Sequence, residues 1–241
     1  MSKRINKAAI YRKYGITYKA GKIITPIGPM NELLKPGNSK TGKNVRTWSM
    51  NQSTCPCHCP GCYADTGFYK MANVKKSLDM NTRLATEYPD FWKRAIMAQC
   101  ETLPEGTEIR IHAVGDFFGL EYVQAWHEIA YMNDHLVFWT YTKTEYESAF
   151  DDLANANIVK SIVNGQFNFG HCDHVLDLYQ ELKTAGESVH ICKCGFDPDQ
   201  HCAGCHECSI SKYVLFLEHS TDYKGQEDAL YEELKAVVMA Q

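Results

Sequence analysis

Eleven cysteines are the residues of this chain most able to do chemistry, and their spacing says more than their number. Cys55, Cys57, Cys59 and Cys62 fall in one short stretch, and Cys192, Cys194, Cys202, Cys205 and Cys208 in another. Cys100 and Cys172 stand alone and read as small buried hydrophobes. The N-terminus has a basic start but no continuous apolar run, so it does not read as a secretory signal and the cytoplasm is the expected compartment. Thiols stay reduced there, which turns the two clusters from a disulfide framework into metal ligands. Thiolates a few residues apart let a loop fold round one small centre, either tetrahedral zinc or an iron–sulfur cluster. Two separate centres are expected.

The first cluster can be read more sharply. Without Cys57 its spacing is Cys55-x3-Cys59-x2-Cys62, followed at once by Tyr63. Three thiolates so placed hold three irons of a [4Fe–4S] cube and leave the fourth iron open, which is a site for chemistry. The spacing resembles that of radical S-adenosylmethionine enzymes, in which the amino and carboxylate groups of the cofactor chelate the open iron. Gly61 stands where those enzymes carry an aromatic residue. Ligation by all four cysteines would close the site, and Cys57 keeps that alternative open. The second cluster runs Cys194-x7-Cys202-x2-Cys205-x2-Cys208, with Cys192 as a competing first ligand. It is similar to a ferredoxin-type run, where four thiolates make a closed electron-transfer or structural cluster. Zinc is the alternative there, with His201 and His206 as substitute ligands.

The elements that must position these thiols follow a βα pattern. Short β-branched or aromatic runs mark strands at Val45 to Met50, Glu108 to Val114, Leu136 to Tyr141, Ile158 to Val163, Ser188 to Cys192 and Tyr213 to Leu217. Apolar residues at helical spacing mark helices at Asp90 to Glu101, Leu120 to Tyr131, Val175 to Ala185 and Asp228 to Met239. Strands alternating with helices predict an α/β fold with a parallel sheet. Ligands gather at the carboxyl ends of the strands of such a sheet, and the first cysteine cluster closely follows the first strand. The second strand ends in Gly115-Asp116, where a glycine admits a ligand to the backbone and a carboxylate can receive an ammonium group. By itself the pair also reads as a turn with Asp116 capping the helix near Leu120.

Composition narrows the function classes. The 241 residues are 44% hydrophobic and 22% charged, a globular mixture that excludes a disordered, collagenous or coiled-coil chain. No apolar run approaches the ~20 residues that span a bilayer, so no membrane partner is expected. A net charge of −4 argues against a protein whose main task is gripping a phosphate backbone. The basic residues Lys35, Lys40, Lys43 and Arg46 form a local patch at most. Gly37 to Asn44 nearly spells a phosphate loop, but Asn44 replaces the magnesium-binding hydroxyl and a strand follows instead of a helix, so that reading is rejected. His171-Cys172-Asp173-His174 lacks a second half and reads as a loop, and Glu218-His219 as an exposed pair after the last strand.

In combination, several segments are similar to the phage "gene product 88" family. They are Gly37 to Lys43, Thr47-Trp-Ser-Met50, Thr54-Cys-Pro56 with Cys59-Pro-Gly-Cys-Tyr-Ala64, Arg110 to Phe118, Tyr141-Thr-Lys143, and Cys202-x2-Cys205-x2-Cys208 followed by Phe216 to His219. The layout also looks like that of radical S-adenosylmethionine proteins. This resemblance implies a partial (βα)6 barrel-like sheet with the three-cysteine loop after its first strand. It also implies cofactor binding by Gly115 and Asp116, with Tyr63 beside the third cysteine. The expected organisation is a single domain, 1–241. It comprises a partial-barrel core at 30–190, a Cys-rich metal-binding insert at 191–212, and a last strand and helix at 213–241. The expected function is an iron–sulfur protein of radical S-adenosylmethionine type, served by a reductant protein, with a [4Fe–4S] cluster on Cys55, Cys59 and Cys62 and a second centre on Cys194, Cys202, Cys205 and Cys208. The alternative is a non-catalytic iron–sulfur or zinc protein that binds a host protein or nucleic acid.

Overall fold

The computed structural model describes residues 5–38, 41–57, 59, 62–163, 165–193, 196, 205–217 and 229–241. All six expected strands occur, as Val45–Trp48, Glu108–Ile111, Val137–Thr142, Ala156–Lys160, Val189–Ile191 and Tyr213–Leu217. The first four lie side by side in chain order, each parallel to the next, and a short antiparallel strand, Lys35–Pro36, edges the first.

The remaining two strands depart from sequential winding. Tyr213–Leu217 lies between Phe169–Gly170 and Val189–Ile191, all three parallel, so the sixth strand is inside and the fifth is at the edge. The two sheets run on into each other: Lys160 N donates to Lys212 O at 3.1 Å, and Asn168 takes its amide to Ser161 O at 3.0 Å and its side chain to Val214 O at 2.8 Å. Among the described residues the strands form no closed barrel, and the fold is mixed α/β with several sheets. The third and fourth strands are joined by turns over residues 143–155.

Side-chain alternation explains the layering. Ile109, Ile111, Phe138 and Ile158 point to one face of the central sheet and bury against Trp92, Ala95 and Ile96 of helix Pro89–Cys100 and Trp126 and Ile129 of helix Leu120–Tyr131. Each such side chain is worth about 1.5–3 kcal/mol on burial. Pro89 starts its helix at a position where a missing N–H costs nothing. A second core gathers Val175, Leu178 and Leu182 of helix Cys172–Thr184, Ile191, Leu215, and Leu234 and Val238 of helix Ala229–Met239. The segment around His171 is the start of that helix, with Cys172 buried, rather than the expected loop.

Further elements lie outside the sequence expectation. They include helix Lys7–Lys13, an antiparallel meander of Thr17–Lys19, Lys22–Thr25 and Gly28–Met30, and helix Ala72–Glu87. The last of these packs behind the first cysteine loop.

Candidate functional site

The loop carrying Cys55, Cys57, Cys59 and Cys62 leaves the carboxyl end of the first parallel strand and is pinned from two sides. On one side helix Ala72–Glu87 holds its start. Asn51 N donates to Thr82 Oγ1 at 2.7 Å, Asn81 Nδ2 donates to Ser49 O at 2.8 Å, and Asn51 Nδ2 donates to Asp79. On the other side the ends of the second and third strands hold it. Thr54 Oγ1 accepts from Asp116 N at 3.1 Å and donates to Asn51 O at 2.9 Å.

Gly115 and Asp116 make that second attachment. Gly115 has φ +88°, and a Cβ there would meet Thr54 Oγ1 at 2.8 Å and Met50 Cβ at 3.1 Å, so only glycine lets the loop lie this close. Asp116 is 1% exposed. Its Oδ1 accepts from Thr142 Oγ1 at 2.7 Å and Phe117 N at 2.8 Å, and its Oδ2 accepts from Lys143 N at 2.9 Å. Burial raises its pKa while those donors oppose the rise. Three of the carboxylate's roughly four acceptor positions are thus filled by these donors. Asp116 does not cap helix Leu120–Tyr131, whose N-cap is Gly119.

The thiols themselves share one electrostatic neighbourhood. Cys55 feels the charge of Asp116, Cys59 and Cys62, and Cys59 hydrogen-bonds Cys57 and feels Cys62. Burial pushes the Cys55 and Cys59 thiols up to about 11, and the Lys143 ammonium pulls both back. Gln52 Nε2 donates to Cys62 Sγ at 3.5 Å and to Asp65 Oδ2 at 3.2 Å. The side chain of Tyr63 lies outside the described residues. Among the described residues no three His, Cys, Asp or Glu side chains stand close enough together to hold a metal ion.

Two cavities open at this edge of the sheet. One, of about 260 Å³, is lined by Thr142, Lys143, Thr144, Glu147 and Lys160. The other, of about 240 Å³, is lined by Asn51, Gln52, Tyr69, Lys75 and Asp79. Thr54, Thr142 and Lys143 are the site residues that cysteine spacing alone does not reveal. Their one local signal is the position of Thr142-Lys143 at the carboxyl end of a strand.

The described end of the second cluster, around Cys205 and Cys208, lies elsewhere, on the face of the central sheet opposite the helices. Cys194 and Cys202 lie outside the described residues, as does His201. Cys208 accepts a hydrogen bond from Tyr141 Oη at 2.7 Å, and Asn157 Nδ2 donates to Cys208 O at 3.0 Å and Ser211 O at 2.9 Å. His206, in a left-handed conformation with φ +58°, pairs with the buried Glu108, which also accepts from Trp139 Nε1 at 3.1 Å. Arg110 lies 5.3 Å from the Trp139 ring centre and 5.5 Å from that of Tyr141. Cys205 is partly buried, as is Cys192, whose charge also reaches Tyr141.

Residues 20–220 match the Gene product 88 family. The chain belongs to this phage family. The match takes in the first cysteine loop, the Gly115-Asp116 turn, Lys143 and the Cys202 to Cys208 run, so both clusters lie within the family's span. No curated protein and no solved structure matches the chain. Among the described residues no helix is long and apolar enough to cross a membrane.

Proposed function

We propose that this Gene product 88 protein is an iron–sulfur protein of radical S-adenosylmethionine type, with Cys55, Cys59 and Cys62 holding a [4Fe–4S] cube and a second centre in the Cys-rich segment. One observation carries the reading: three thiols at x3 and x2 spacing leave the carboxyl end of the first parallel strand and lie in mutual electrostatic reach where the ends of the next two strands converge. In this reading the four strands in sequential order are the beginning of a partial (βα)6 barrel-like sheet, and residues 191–212 are its Cys-rich insert.

In chemical type the donors suit the group. Soft thiolates suit iron–sulfur ligation, and a fourth iron without a protein thiolate is the open position. When bound, such a cube supplies one electron for reductive cleavage of the sulfonium of S-adenosylmethionine. The chain's own residues do the rest. Gly115 and Asp116 hold the loop against Thr54 and the third strand, Gln52 donates to the Cys62 sulfur, and Lys143 brings positive charge to Cys55 and Cys59. Tyr63 is the further candidate for cofactor contact. A reductant protein is the partner this chemistry requires, and the host cytoplasm its compartment.

A second reading rests on Cys57, whose thiol reaches Cys59. With four thiolates the first centre is closed, iron or zinc is structural, and the partner is a host protein or nucleic acid. Low-temperature EPR of anaerobically purified, dithionite-reduced protein, with and without S-adenosylmethionine, separates the two. The proposal expects a [4Fe–4S] signal that changes when the cofactor is added, and iron retained in Cys57→Ala. A signal indifferent to the cofactor, or zinc in place of iron, overturns it in favour of the closed centre.

A further inference from the structure

The face of the central sheet that carries Glu108, Arg110, Trp139, Tyr141 and Asn157 has an unusual composition for a buried surface. Asn157, Tyr141 and Glu108 of this face all reach one segment, residues 205–212. Asn157 holds the carbonyls of Cys208 and Ser211, Glu108 holds His206, and Trp139 holds Glu108. These contacts fix the backbone on both sides of one sulfur. Tyr141 Oη then donates directly to Cys208 Sγ at 2.7 Å, with its ring wedged against Phe216 at 5.4 Å and under the Arg110 guanidinium at 5.5 Å. A phenol held by these neighbours and aimed at a sulfur is more than packing requires. Phenylalanine would fill the same space.

A neutral thiol is a weak acceptor, whereas a thiolate bound to a metal accepts well. Hydrogen bonds to ligand sulfurs are among the levers that set the affinity and potential of thiolate centres. We propose that Cys208 is a ligand of the second metal–thiolate centre and that Tyr141 is its positioning residue, fixing the sulfur and drawing off part of its charge through this hydrogen bond. The inference rests on the presence of a second centre, as in the proposed function, and is independent of the radical chemistry proposed for the first loop.

Anaerobic titration of the full chain with cobalt(II) tests it through the thiolate-to-cobalt charge-transfer bands. The expected result is that Cys208→Ser removes a band that Cys59→Ser leaves in place. Tyr141→Phe should keep that band but shift it and weaken cobalt binding at that site by about 10-fold or more, the usual cost of losing an outer hydrogen bond to a metal ligand. Placing 3-fluorotyrosine at position 141 alone strengthens the donor and should shift the band the opposite way, in a protein whose packing is unchanged. Wild-type affinity and an unshifted band in Tyr141→Phe, or an unshifted band with 3-fluorotyrosine, overturn the role of Tyr141. A Cys208→Ser protein with every band intact overturns the ligand assignment and leaves the first-loop reading standing. No charge-transfer band in the wild type overturns both.

Discussion

His112 sits at the turn between the second strand and the Gly115-Asp116 loop, and two costs meet in it. Its φ is +64°, a region that side chains rarely adopt, and it is 3% exposed with Nδ1 lacking a hydrogen-bond partner. Its Nε2 meets Tyr122 Oη at 2.9 Å, which in turn accepts from Trp48 Nε1 at 2.8 Å, so the ring ties this turn to the aromatic core. Burial, helped by the Arg110 charge, holds its pKa down at about 3, against 6.5 for an ordinary histidine. Below that ordinary value the unfolded chain takes up a proton that the native state refuses. Stability is therefore lost as pH falls from about 6.5 toward about 3, by up to about 1.4 kcal/mol per pH unit. Asparagine tolerates the same backbone, so His112→Asn should flatten this part of the profile. Urea midpoints of both proteins at about pH 7 and about pH 5 measure it, and parallel profiles would contradict it. Three residues on, Gly115→Ala has no such tolerance, since φ +88° and the Thr54 contact both oppose a Cβ. A loss of about 1–3 kcal/mol in denaturant unfolding is expected, together with weaker iron retention on the proposed function.

At the scale of elements, side chains replace missing backbone partners. Gln99, 1% exposed on helix Pro89–Cys100, accepts from Leu34 N at 2.9 Å and donates to Leu34 O at 2.9 Å, as a neighbouring strand would. Gln99→Leu leaves two buried backbone groups unpaired at about 1–3 kcal/mol each, so a loss of about 2–6 kcal/mol in denaturant unfolding is expected, and a change under about 1 kcal/mol would mean that the edge segment repairs itself. Such substitutions explain what the sequence made legible and what it did not. The six strands and helices such as Leu120–Tyr131 carry a periodic apolar pattern, and that pattern is local. Helix Ala72–Glu87 fully buries only Asn81, Leu84 and Ala85, and much of what it does for the cysteine loop comes from Asn81, Thr82 and Asp79, polar side chains whose partners no apolar period announces. The place of Tyr213–Leu217 between Phe169–Gly170 and Val189–Ile191 is a long-range choice set by Asn168 and Lys160, which no spacing announces. At the site, cysteine spacing is legible because the four thiols sit in one short loop, whereas the partners of Asp116 at Thr142 and Lys143 come from the next strand.

The whole molecule joins two hydrophobic cores through one polar seam. The larger core runs from Tyr11 to Ile158 and the smaller from Val163 to Val238. The Cys-rich segment touches both sides of that seam. Toward the larger core it is held by Asn157, Tyr141 and Glu108, and toward the smaller by the approach of Glu207 to His190 at 4.0 Å. Phe196, within the Cys-rich segment, belongs to the smaller core and lies near Tyr231 at 5.5 Å, so the segment is anchored there as well. The smaller core has few elements: its sheet strands are Phe169–Gly170, Val189–Ile191 and Tyr213–Leu217, covered by two helices. In the proposed reading a metal at the second centre pins the connection between the last two strands of this small core, and binding to the native state alone adds to stability. Removing that metal, by chelation or by Cys208→Ser, should therefore act unevenly. Hydrogen exchange should quicken in Val189–Ile191, Tyr213–Leu217 and helix Cys172–Thr184, while Glu108–Ile111 and helix Pro89–Cys100 keep their protection. Equal loss in both cores would mean that they unfold as one unit and that the seam carries no separate cooperativity. No change in either would mean that the cysteine segment contributes nothing to the stability of the strands it joins.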